Sequence, residues 1–177
     1  MIDQIQFIHF LTATAIIELF MLYLFKFTNQ SSIVINNWYN NLGWSAIILD
    51  VLSILIGFYI AKFIFQYLRE NNYLSKKNEL FKYLVILLIV QILHDILFYY
   101  FVIRPTPKNI NKVIDEFKEY AKYYQSQAIF ADSLIYLSIT PLLYYYISKQ
   151  SNQMNTFTTI VCFYLLSYLL HQKAKIN

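Results

Sequence analysis

What most constrains this chain is a recurrence of apolar blocks about 20 residues long, the length an α-helix needs to cross a hydrocarbon core of roughly 30 Å. Five such blocks occur, at 7–25, 43–68, 80–103, 128–147 and 154–170. Lipid offers no partner to a backbone N–H or C=O, so each block is expected as a helix that satisfies its own backbone. Composition agrees: 58% of the 177 residues are hydrophobic and 14% charged, where soluble domains carry about a quarter charged. The first block has no basic stretch ahead of it and no small-residue cleavage site after it, so it reads as a span rather than a cleaved leader. The fold expected is one all-α integral membrane domain over 1–177, with five transmembrane helices.

A sixth element has a different pattern. From 108 to 125, Ile110, Val113, Ile114, Phe117, Tyr120, Ala121 and Tyr124 recur at helical spacing. Lys112, Asp115, Glu116, Lys118, Glu119 and Lys122 cover the opposite face. This is an amphipathic helix suited to the membrane interface or to the top of a bundle. Thr106 and Pro107 read as its cap and first residue.

The connections are short. Residues 27–42 form a polar, Asn-rich link, and Trp38, Tyr39 and Trp44 read as an interfacial belt ahead of the second span. Lys26 is placed to snorkel to headgroups. Asn29-Gln30-Ser31 matches a glycosylation acceptor, a common tripeptide that carries little weight this close to a span. Ala46, Asp50, Ser53, Gly57 and Ala61 form a small or polar stripe for helix packing, and Pro141 predicts a kink in the fourth span. Lys62, Arg69, Lys76, Lys77 and Lys82 gather at one loop, and Lys173 and Lys175 in the tail.

The polar residues inside the spans carry the functional argument. They are Glu18, Asp50, Gln91, His94, Asp95, Asp132 and Ser133. With the N-terminal side called face A and the other face B, the first and third spans end at face B, and the second and fourth begin there. Counting at 1.5 Å per residue then puts Glu18, Asp50, Asp95 and Asp132 about 6–12 Å below face B. The remaining acids lie on the amphipathic helix or, as Asp3, Glu70 and Glu79, towards face A. Each acid in lipid costs about 2.5–3.5 kcal/mol even on the lenient insertion scale. Such groups are expected to face inward and to pair, share protons or bind a cation. Gln91 and Asp95 share a helix face, with His94 at its edge. The amphipathic helix joins the third and fourth spans directly above, where it reads as a lid.

Proton or cation handling of a channel- or carrier-like kind is the leading expectation. The bland alternative is interhelical glue in a structural or assembly protein. A metal-dependent membrane enzyme comes third, with Asp50, His94, Asp95 and Asp132 as candidate ligands for a divalent metal. The sequence itself requires no cofactor and leans away from an enzyme. It has no Glu-x-x-His, no His-x-x-x-His and no Gly-x-Ser-x-Gly elbow. Cys162, the single cysteine, excludes an intramolecular disulfide and a thiolate metal cluster. The net charge of +4 is spread over loops and helix ends, without the basic, aromatic-interleaved run of a nucleic-acid groove. The partners expected are the lipid bilayer and further copies of the chain, since five spans are few for a transporter. Lys26, following the first span, favours face B as cytoplasmic.

Four segments carry a resemblance: Gln91-Ile92-Leu93-His94-Asp95, Pro107 through Asn111, Ile114 through Lys122, and Ala128 through Ser133. They resemble a family of uncharacterised multi-spanning membrane proteins of large nucleocytoplasmic DNA viruses. The resemblance spans the middle and second half of the chain. It implies a multi-pass protein of a virion or host-derived membrane and carries over no activity.

Overall fold

The computed structural model describes residues 2–28, 32–75 and 77–173. The Asn29-Gln30-Ser31 match, Lys76 and Lys175 lie outside them. Among the described residues the chain is all-helical, and five helices are long and apolar enough to cross a membrane. The elements are α1 (Phe7–Phe27), α2 (Ile33–Leu42), α3 (Trp44–Glu70), α4 (Glu79–Phe98), α5 (Lys112–Tyr124), α6 (Ser126–Tyr145) and α7 (Asn152–His171). One turn of π-helix, Tyr99–Ile103, prolongs α4 before the Pro105 break.

Helices α1, α3, α4 and α6 pack in a ring, α1 against α3, α3 against α4, α4 against α6 and α6 back against α1. Phe10, Leu22, Ile47, Phe58, Leu87 and Ile139 are fully enclosed within it. The last helix, α7, lies outside this ring against α1. There the Thr12 hydroxyl meets Thr159 Oγ1 at 2.8 Å and reaches the Asn155 carbonyl at 3.1 Å. Large apolar side chains cover the outer faces, with Phe63 at 72% and Ile160 at 62% exposed. A surface of that kind fits lipid as its solvent rather than water.

Two local readings are corrected. The link expected over 27–42 contains a helix, α2, because Ser32 caps it by accepting from Ile35 N at 3.1 Å and no Gly or Pro interrupts the next ten residues. The amphipathic helix begins at Lys112 rather than at Pro107. The Thr106 hydroxyl donates backward to the Val102 carbonyl at 2.7 Å, and Asn109 adopts a left-handed φ of 67° that ends any earlier turn. Asn111 is the cap, its Oδ1 accepting from Val113 N and Ile114 N. At Pro141, α6 continues to Tyr145, the proline removing only the donor for the Leu137 carbonyl.

On face B, α2 and α5 lie side by side. Trp38 and Phe117 meet with ring centroids 4.7 Å apart. Asn41 Nδ2 donates to Glu116 Oε1, and the Tyr124 hydroxyl to Ser32 Oγ, both at 2.6 Å. The cap on the bundle is therefore two helices.

Candidate functional site

The four helices of the ring are the four that carry the intramembrane acids; α7 carries none. Beneath the cap, the polar residues form two hydrogen-bonded groups with Asp132 between them.

The first group joins α1, α3 and α2. Glu18 is 6% exposed, and its Oε1 accepts from the Tyr39 hydroxyl at 3.0 Å. Asp50 Oδ2 accepts from Trp38 Nε1, also at 3.0 Å. Glu18 and Asp50 lie close enough to interact electrostatically. Trp38 and Tyr39 are buried at 8% and 4% exposure, so the belt expected there is instead part of the site. Burial, followed by the charges of Glu18 and Asp50, pushes the Tyr39 hydroxyl well above the usual tyrosine range. It therefore remains a protonated donor. Trp44, 37% exposed against Phe163, keeps a belt-like position.

The second group joins α4 and α6. Ser133 Oγ donates to Gln91 Oε1 at 2.9 Å, and Gln91 Nε2 donates to Asp95 Oδ2. His94 Nδ1 lies 3.1 Å from Asp95 Oδ1. Gln91 is buried at 3% exposure, whereas the His94 side chain is 48% exposed and stacks on Phe98 at the rim of the bundle. Asp132 hydrogen-bonds to no described residue and lies within electrostatic range of Asp95, Asp50 and His94. Tyr120 of α5 is close to the same charges: burial first, then Asp132, Tyr124, Asp50 and Asp95, push its hydroxyl upward. The amphipathic helix thus turns a tyrosine towards the acids.

Glu18 and Asp50 are therefore neighbours, as are Gln91, His94, Asp95 and Ser133, and Asp132 connects the two groups through space. No three His, Cys, Asp or Glu side chains among the described residues group as a metal-binding set. Asp50 is turned to Trp38 and His94 to the outer rim, so Asp50, His94, Asp95 and Asp132 do not enclose one ion. None of these acids lies within ion-pairing distance of a Lys or Arg among the described residues; His94–Asp95 is their single ion-pair contact. Lys26, expected to snorkel outward, is instead 1% exposed and donates to Asn40 Oδ1 at 3.3 Å.

Trp38, Tyr39 and Tyr120 are the functional candidates that sequence patterning overlooks. Their signal is a cap residue, Ser32, ahead of a helix-length stretch in which Asn36, Tyr39 and Asn40 share one face.

A scan against protein-family models, a search of curated proteins and a search of solved structures each return no match to this chain.

Proposed function

We propose that this is a multi-pass membrane protein that handles protons, or secondarily a small cation, through Glu18, Asp50, Asp95 and Asp132, with α2 and α5 as the cap over them. The observation that carries the reading is that, among the described residues, Glu18 and Asp50 accept side-chain hydrogen bonds only from the neutral donors Tyr39 and Trp38. Carboxyl groups kept from water without a compensating cation are stable when they hold a proton or take up an ion. Tyr39 and Tyr120 supply hydroxyls through which a proton can pass between the layer and face B. His94 beside Asp95 supplies an exchangeable group at the rim. The working form is a homo-oligomer in the bilayer, the exposed flank of α4 around His94 meeting a second copy.

Proton flux into liposomes containing the purified protein tests this. Glu18→Gln and Asp50→Asn are expected to lower the flux at least about tenfold, the effect of ~1.4 kcal/mol on a barrier. Phe117→Ala, which removes the ring seated on Trp38, is expected to raise it by loosening the cap. Flux indistinguishable from protein-free liposomes, or unchanged in both carboxamide variants, would sink the reading.

A second reading has its own observation. The Ser133–Gln91–Asp95 chain ties α6 to α4 and is what interhelical packing alone would use. On that reading the protein is a structural component of a viral or host-derived membrane, and Gln91→Leu lowers stability while flux is absent throughout.

A further inference from the structure

At face B, where α1 and α7 end beside α2, the surface opens into a cavity of about 480 Å³ lined by Asn36, Tyr39, Asn40, Gly43, His171 and Lys173 among others. No acidic residue lines it. Behind its wall sits the buried Lys26 ammonium, whose hydrogen bond is to Asn40 Oδ1 and which has no carboxylate partner among the described residues. With Oδ1 engaged by Lys26, the Nδ2 of Asn40 is left to donate into the cavity. Asn36 is 5% exposed, lines the same space, and its amide has no hydrogen-bond partner among the described residues. Opening on the cavity and held by no other side chain, this amide is free to donate to whatever occupies the space. Lys173 and His171 complete the rim. Glu18, the closest acid along α1, is eight residues deeper, about 12 Å, behind the Tyr39 ring.

We propose that this cavity binds the phosphate of an anionic phospholipid headgroup, with the Asn36 and Asn40 amides as donors and Lys26 and Lys173 as counter-charge. A lipid rather than a free anion is favoured by what adjoins the cavity. A second hollow of about 340 Å³ shares His171 and Gln172 with it and is bounded by Tyr164, Ser167 and Tyr168 of α7. Tyr164 and Tyr168, both largely exposed and joined through their hydroxyls at 2.9 Å, give a glycerol and acyl chain a path down the outside of the bundle. Basic pockets between transmembrane helices at headgroup level hold anionic lipids by this chemistry. The site is independent of the carboxyl layer's role and requires only that the helices span.

The test is native mass spectrometry of the full chain released from nanodiscs of phosphatidylglycerol and phosphatidylcholine in equal parts, with inorganic phosphate as competitor. Wild type is expected to retain phosphatidylglycerol in preference. Lys173→Gln, at the exposed rim and without consequence for folding, is expected to weaken retention about fivefold, and Asn40→Leu to weaken it further. Equal retention of the two lipids overturns the proposal, as does retention unaltered in both variants. Inorganic phosphate bound in a wild type that retains neither lipid overturns the assignment to a headgroup.

Discussion

The Tyr39 hydroxyl donates to Glu18 Oε1 across 3.0 Å, joining a short face-B helix to an acid just past the middle of α1. The same hydroxyl also lies within reach of Asp50, whereas Glu18 has no other side-chain hydrogen bond among the described residues and so depends on Tyr39 for satisfaction. Tyr39→Phe keeps the ring, which packs on Phe25 at 6.3 Å, and deletes only the hydroxyl. Leaving Glu18 unpaired is expected to cost about 1–3 kcal/mol and to lower proton flux in liposomes about tenfold. A lowered melting midpoint with unchanged flux would make Tyr39 a structural anchor and not part of a proton path.

Two corners on face B are built alike. Gly43, between α2 and α3, has φ 57° and ψ −131°; Gln125, between α5 and α6, has φ 50° and ψ −128°. Each lets a cap helix abut a span through a single residue in a region that only glycine enters without strain. A Cβ at Gly43 would meet no atom within 4 Å, so Gly43→Ala reads the backbone cost alone, about 1–3 kcal/mol. Gln125→Gly should do the reverse and stabilise by about 1 kcal/mol, less whatever glycine adds to unfolded-chain entropy. Thermal midpoints moving in opposite directions for the two variants would bear this out; equal shifts would refute it.

The spans were legible because hydrophobic length is a one-dimensional signal, and depth followed from counting along it. Angular placement was not: which way Asp50 or His94 points depends on the ring order of α1, α3, α4 and α6, and nothing in the spacing encodes that order. Hence His94, expected among the inward-facing polar groups of the layer, sits on its rim, while Gln91 three residues earlier is enclosed. The helix at 33–42 was hidden for another reason. Asn is a poor helix former, yet here it serves the cavity wall at Asn36 and Asn40 and the contact with α5 at Asn41. Trp38 and Tyr39 fit an aromatic belt equally well by composition, and only the fold turns their donors on the acids.

Gly57 and Tyr136 explain why one position of the α3 stripe is glycine. A Cβ at Gly57 would stand 2.3 Å from the Tyr136 hydroxyl oxygen and 3.1 Å from its ring carbon Cζ. Tyr136 is 6% exposed and wedged against Phe58, so it has little room to withdraw. Gly57→Ala is expected to cost about 1–3 kcal/mol through overpacking. Adding Tyr136→Phe removes the closest clash and should restore part of the loss. If the double variant is no more stable than Gly57→Ala, the contact is not what selects glycine.

At face A the N-terminal turn is fastened by charge. Arg69 Nη1 lies 2.7 Å from Asp3 Oδ2, Gln66 Nε2 donates to Asp3 Oδ1 at 2.9 Å, and Lys62 Nζ donates to the Ile5 carbonyl at 2.6 Å. The Arg69 hydrogen bond, opposed by partial burial and aided by Gln66, lowers the Asp3 carboxyl from 3.8 to about 2. Because the folded value lies below the unfolded one, the contribution is present in full above pH 3.8 and is lost as pH falls from there through about 2. With the Asp3 side chain 37% exposed, solvent screening holds it to roughly 0.5–1 kcal/mol. Asp3→Asn should therefore lower the melting midpoint at pH 6 and match wild type near pH 2. Hydrogen exchange at the Ile5 amide, bonded to the Ile2 carbonyl at 3.1 Å, should quicken in the variant. A difference between the two proteins that persists undiminished at pH 2 would mean that packing of Ile2 and Ile5, not the ion pair, holds this turn.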